Sequence, residues 1–169
     1  MTIQDDRTTV PHTGDERATL TALLDFQRDT LALKCRGLSP EQLRSRAIAP
    51  SALSLLGLVR HAADVERGWF RNMLNGEEIP SHWTPPGSTD RADFDVDEAD
   101  PDEAFAVWRK ECDHSRAIVA AAPSLDVTGT HEQETYSVRY VLAHMIEEYA
   151  RHNGHADLLR ERLDGSTGE

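Results

Sequence analysis

The chain has 169 residues and a formal net charge of −12. That length suits one domain with a sizeable core. The acidic balance argues against a nucleic-acid partner, which would need Lys and Arg at phosphates, and against docking on an anionic membrane. No apolar run reaches membrane-spanning length, and the opening MTIQDDRTTVPHTGDE has no apolar stretch of the signal-peptide kind. Residues 1–14 are therefore expected to form a flexible lead, residues 15–165 a single domain, and the compartment to be the cytoplasm. Two cysteines, Cys35 and Cys112, lie far apart with no C-x-x-C spacing, and read as small core hydrophobes. Lys34 and Arg36 beside Cys35 leave room for modest thiol reactivity there.

A first helix is expected after Thr13 to Glu16, which reads as a capping box. It runs through Leu20, Leu23, Leu24, Phe26, Leu31 and Leu33 to Cys35 and stops at Gly37. Ser39, Pro40 and Gln42 open a short extra helix with a cap, a proline in the first turn and a closing glutamine. After the break at Pro50, a second long helix carries Leu53, Leu55, Leu56, Leu58, Val59, Val65, Trp69, Phe70 and Leu74, ending at Asn75 and Gly76. Residues 77–100 lack helical periodicity and read as a long crossover. Their second half, Asp90 to Asp100, is acidic: a lid, or a solvated charge run. Asp100, Pro101 and Glu103 open a third long helix that fades by Pro123. Residues 123–135 read as a loop, with no strand expected. A fourth long helix begins near Ser137, its apolar stripe running Val138, Leu142, Met145, Tyr149, His152, Ala156, Leu159 and Leu163. Steps alternating four and three mark a bundle seam. The predicted fold is an all-α four-helix bundle.

That last stripe carries the chemistry. His144, Glu148 and His152 follow one another at four-residue steps and His155 comes three later, offsets that share a helix face. His152 takes a seam position where a Leu belongs, and Glu148 lies beside it. A carboxylate next to a core position costs several kcal/mol unless paired; a divalent cation is such a partner. A further ligand must come from another helix, and His61 interrupts the strip of Leu58 and Val65 on the second long helix. The set His61, Glu148 and His152 leaves a coordination position open, as catalytic sites do. The alternative is two hydrogen-bonded core histidines and an ordinary i,i+4 contact. Glu-x-x-His pairs, which a di-iron carboxylate bundle requires, are absent from the fourth helix.

The segments LVRHAADVERGWF and HMIEEYARHNGHADLLRERLDG resemble the DinB-like superfamily, in particular its actinobacterial branch of small mini-circle proteins. The resemblance covers nearly the whole chain. It implies a bundle in up-up-down-down order with a long crossover, commonly a homodimer, and a metal held by one His of the second helix and a pair from the fourth. The family's ligands fall on His61, Glu148 and His152. Glu148 departs from the commoner His, and matches the Glu-x-x-x-His pair of the similar mycothiol-dependent maleylpyruvate isomerases. By this matching His155, Glu66 and His144 are supporting or pocket residues at most: His155 bonded to Glu148, or a polar residue on the helix face; Glu66 orienting His61 or acting as a base, with a structural role the more ordinary reading.

The resemblance thus implies an enzyme whose divalent metal activates a low-molecular-weight thiol such as mycothiol, for S-transfer to a small electrophile or for isomerisation. Zn2+ leads, with Ni2+, Mn2+ and Fe2+ also compatible with these ligands. Arg60, Arg151 and Trp83 are candidate substrate contacts; the ordinary reading is a solvated Arg or a loop anchor. Two other functions stand beside this one: a metal-dependent hydrolase, and a non-catalytic dimeric bundle with a stress or binding role.

Overall fold

Side-chain caps set the helix starts. In the computed structural model, which describes residues 6–85, 88 and 92–168, Asp15 accepts from the Ala18 amide at 2.8 Å and opens α1, Glu16–Cys35. The cap is thus Asp15 and not the expected Thr13, which sits in the preceding turn: the Asp15 carboxylate reaches the third helical amide directly. Ser39 and Gln42 form the expected capping box of α2, Pro40–Arg44. Ser54 caps α3, Leu55–Glu66, and Asp100 caps α4, Pro101–Ala121, with proline in the first turn. Ser137 caps α5, Val138–Asp164, which Gly165 closes in a left-handed conformation at φ 78°.

Two further features depart from the sequence reading. The second long helix does not keep α-helical winding to its end. Past Glu66 it widens into a π-helical segment, Arg67–Leu74, whose exit is marked by the Asn75 amide bonding the Phe70 carbonyl five residues back. The stretch read as a loop contains an antiparallel hairpin, β1 Thr128–His131 and β2 Glu134–Ser137. Its turn uses Glu132 at φ 56° and lacks the Asn-Gly or Asp-Gly signal of a tight hairpin. Gly129 is what lets the hairpin pack on the π segment: a Cβ there would lie 2.2 Å from the Met73 carbonyl oxygen and 2.5 Å from Leu74 Cα.

The chain is mostly helical. α1 packs chiefly on α5, α3 on α4, and α3 also meets α5. Every residue from Leu55 to Ala63 is buried, so α3 is enclosed on all sides, as a helix apolar over most of its circumference must be. Leu24, Leu31, Leu58, Phe70, Leu142, Met145 and Leu159 fill the space between helices; each such side chain contributes about 1.5–3 kcal/mol of burial.

The crossover folds back on α3 and its π extension. Asn72 bonds both backbone groups of Ile79, Arg67 donates to the Ile79 carbonyl, and the Trp83 indole donates to the Arg60 carbonyl at 2.9 Å. Asp93 and Val96 are buried, so the acidic stretch is not wholly a solvated charge run. Its first residues, Asp90 and Arg91, lie outside the described residues, as do residues 1–5 of the N-terminal lead. Residues 6–8 lie along α1, with Thr8 bonding Asp29 through its amide and hydroxyl and Asp6 pairing with Arg36.

Candidate metal centre

Because α3 is enclosed, His61 is buried at 8% exposure. Its Nε2 faces α5, where Glu148 and His152 stand one turn apart. His61 Nε2 lies 3.1 Å from Glu148 Oε1, and His152 Nε2 lies 3.2 Å from that same oxygen. The two imidazoles meet edge to face, centroids 4.8 Å apart. One ligand atom from each residue falls within 4.8 Å of the others. The opposite nitrogen of His61, Nδ1, is 2.8 Å from Asp93 Oδ2.

The donor set fits a divalent cation. Two imidazole nitrogens aimed at one carboxylate oxygen bond it only if both carry a proton on those atoms; a single cation among the three satisfies all of them at once. The protonation preferences diverge. Burial opposes charge on His61, but the hydrogen bonds with Asp93 and Glu148 outweigh it and hold its pKa above the usual histidine value. Burial and the neighbouring His61 charge hold His152 below it. Burial also opposes charge on Glu148, but the His61 hydrogen bond and the His152 charge keep it ionised below the usual carboxylate range. Neutral imidazole and ionised carboxylate are the states in which these groups ligate a metal, so His152 and Glu148 lean toward ligation while His61 would release a proton as an ion binds.

The remaining sequence candidates separate. His155 Nδ1 lies 3.3 Å from His152 Nδ1, so it backs His152 where a contact with Glu148 was one expectation. His144 stacks instead near Trp69, centroids 4.3 Å apart, and beside Tyr140. Glu66 turns toward Arg28 and Tyr149 on the other side of α3. Arg60 lies over the Trp83 ring at 4.5 Å and donates to the Asp95 carbonyl, which makes Trp83 an anchor of the loop. Arg151 is exposed and pairs with Glu147. Asp93 and Phe94, whose ring stacks on His61 at 5.3 Å, were missed by sequence reasoning: nothing in an acidic loop distinguishes the carboxylate that turns inward.

A cavity of about 10 Å³ lies among the three residues and the apolar wall of Leu31, Leu58 and Val65, room for about one water-sized species. A wider cleft of about 270 Å³ reaches His61 and Asp93 from the side of Val65, Trp69 and Met73. An apolar cleft of about 390 Å³ between α1 and α4 has no histidine or cysteine in its lining among the described residues. The protein's own thiols are poor nucleophiles: burial pushes Cys35 up to about 12, and burial with the Glu66 charge pushes Cys112 well above its usual value.

A mostly helical protein with a candidate His, Glu, His metal group bridging two helices is therefore the class that fold and site define. The family model described as Mycothiol-S-transferase matches residues 19–165. The chain belongs to that family, which is DinB-like, and the resemblance carried by the segments around His61 and His152 is borne out. A comparison with curated proteins gives no match. Among the described residues no helix is long and apolar enough to cross a membrane.

Proposed function

We propose that the protein is a divalent-metal-dependent thiol S-transferase that joins mycothiol to a small electrophilic molecule. His61, Glu148 and His152 would hold the metal, Zn2+ first among the candidates. The observation that carries this reading is the convergence of two imidazole nitrogens from two helices on one Glu148 oxygen. Family membership supplies the thiol. When bound, the ion supplies one thing: it holds a thiol as its thiolate near neutral pH. The chain's residues do the rest. Leu31, Leu58 and Val65 keep water from one side of the group. The cleft beside His61 admits a small molecule from the other side. Cys35 and Cys112, buried and protonated, do not compete for the electrophile. The same reading includes a bundle in up-up-down-down order over residues 15–165, a homodimer in solution and a cytoplasmic location.

The test pairs elemental mass spectrometry on tag-free protein with a mycothiol conjugation assay using a bimane electrophile. Near-stoichiometric metal and metal-dependent conjugation, both lost in His61→Ala and His152→Ala, are expected. Wild-type protein that takes up no metal after reconstitution, while both variants fold normally, would overturn the reading in favour of a non-catalytic bundle. Metal without conjugation, but with hydrolysis of activated esters, would redirect it to a hydrolase.

A further inference from the structure

Two consecutive crossover residues grip His61 from different directions. Asp93, 4% exposed, places Oδ2 at 2.8 Å from Nδ1. The Phe94 ring lies against the imidazole face at 5.3 Å and 28°. The grip is itself anchored. Arg60 donates to the carbonyl of Asp95 while its guanidinium covers Trp83, and Val96 is fully buried. On the helix side, Gly57 makes room: a Cβ at that position would come within 2.9 Å of Phe94 Cδ1. Gly57 and His61 are one helical turn apart, so the same face of α3 that carries the ligand is cut away to seat the ring that stacks on it.

This arrangement has a chemical consequence. A neutral imidazole that donates its Nδ1 proton to a carboxylate presents a lone pair at Nε2, where an incoming cation takes the place of the second proton. Nε2 is the atom that faces Glu148 and His152. The carboxylate selects the nitrogen that ligates, and the stacked ring selects the plane in which it points. Without them, the imidazole is free to rotate or to place its proton on the nitrogen that must bind metal.

We propose that Asp93 and Phe94 are positioning residues of the metal centre, so that the long crossover is an integral part of the metal-binding group. The inference rests on the metal reading of His61, Glu148 and His152. Full-length Asp93→Asn, Asp93→Ala and Phe94→Ala proteins, stripped of metal, would be titrated with Zn2+ against a chromogenic chelator. In parallel, 15N histidine spectra of the Zn2+-loaded proteins would report which His61 nitrogen ligates and which carries the proton, and circular dichroism would report the fold. Asp93→Ala is expected to bind Zn2+ about 10–100-fold more weakly, the usual effect of losing a carboxylate behind a ligating histidine. Asp93→Asn, which retains a neutral acceptor of the same shape, should fall between it and wild type. Phe94→Ala should weaken binding while leaving the tautomer unchanged. Zn2+-loaded wild type should show His61 ligating through Nε2 with its proton on Nδ1, and Asp93→Ala a mixture. If wild type binds Zn2+ and folded Asp93→Ala binds it equally tightly with the same tautomer, the role of Asp93 falls and the metal site stands. If wild type binds no Zn2+ at all, the metal reading falls and takes this inference with it.

Discussion

Glu66 on α3 and Glu148 on α5 are carboxylates in the same helical core, yet their surroundings are opposites. Glu66 is fully buried and met by donors: Arg28 bonds it twice, at 2.7 Å each, and the Tyr149 hydroxyl bonds it at 2.8 Å. Tyr149 in turn accepts from the Trp108 indole, and the Cys112 thiol closes on Glu66 at 3.6 Å. Glu148 is only partly buried, and two imidazole nitrogens approach it. The first carboxylate is matched by a cation the chain supplies; the second has the surroundings of a candidate site for a cation taken up from outside. Adjacent residues of α5, Glu148 and Tyr149, serve the two clusters, so a single step of about 100° along the helix separates a structural network from a candidate reactive one.

The sharpest break of that comparison is in metal content. His152→Ala should reduce metal affinity by more than about 100-fold, since loss of a ligand exceeds the usual cost of losing its outer partner. Glu66→Gln should leave metal content unchanged. Elemental analysis of both proteins checks the contrast, and equal metal in the two would erase it.

Stability should show the reverse ranking. Arg28→Ala strands a buried carboxylate and should cost about 3–5 kcal/mol. The double change Arg28→Met with Glu66→Leu should recover much of that, because an apolar pair of similar volume can replace a buried ion pair. In metal-free protein, His152→Ala should cost far less than Arg28→Ala, since His152 keeps partial access to solvent. Urea unfolding of the three variants measures these differences. A mild effect of Arg28→Ala would show that the Glu66 cluster is not what holds that part of the core.

Much of this could be read from sequence, for local reasons. Capping chemistry is written within four residues, so the starts at Ser39 and Asp100 were legible. A ligand pair four apart on one helix is legible too, and His61 stood out because it interrupted an apolar strip. His144 was misleading for a geometric reason: at 3.6 residues per turn, two four-residue steps rotate a side chain by about 80°, enough to carry His144 off the ligand face and onto Trp69. A structural role was the ordinary reading of Glu66, but its partner was not legible: Arg28 is 38 positions away on α1, where no periodicity points to it. Asp93 stayed hidden because its role depends on how the crossover returns to α3. The hairpin was missed because its turn residues, Glu132 and Gln133, carry no turn signal, and its cause, the close approach at Gly129, is tertiary.

Acid titration sharpens the comparison further. Burial opposes charge on Glu66, but the Arg28 charge and the hydrogen bonds it receives outweigh this and keep its pKa below the usual carboxylate value. A carboxyl whose folded pKa lies below the unfolded value of about 4.3 contributes stability that is present above that pH and is lost as pH falls through the folded pKa. Metal-free wild type should therefore lose stability on acidification below about pH 4.3. Glu66→Gln, already less stable at neutral pH, should show a shallower slope in that window. Urea midpoints measured across the acid range decide it, and parallel slopes would remove Glu66 from the acid response.

The smallest expected effect belongs to Cys112, and it separates the two clusters most cleanly. Its thiol lies in the Glu66 network, where burial and the neighbouring carboxylate oppose thiolate formation. An S-transferase that drew its nucleophile from its own cysteine would lose activity when that cysteine is removed. One that takes the thiol from a co-substrate, at a metal held by the other cluster, would not. Cys112→Ala should leave metal content and mycothiol conjugation unchanged. It should lower stability by only about 1 kcal/mol, the scale of one weak hydrogen bond and a small buried group. Alkylation with iodoacetamide should label Cys112 in urea and spare it in the folded protein. Loss of conjugation in folded, metal-loaded Cys112→Ala would move the chemistry from the Glu148 cluster to the Glu66 cluster and reverse the roles assigned to the two carboxylates.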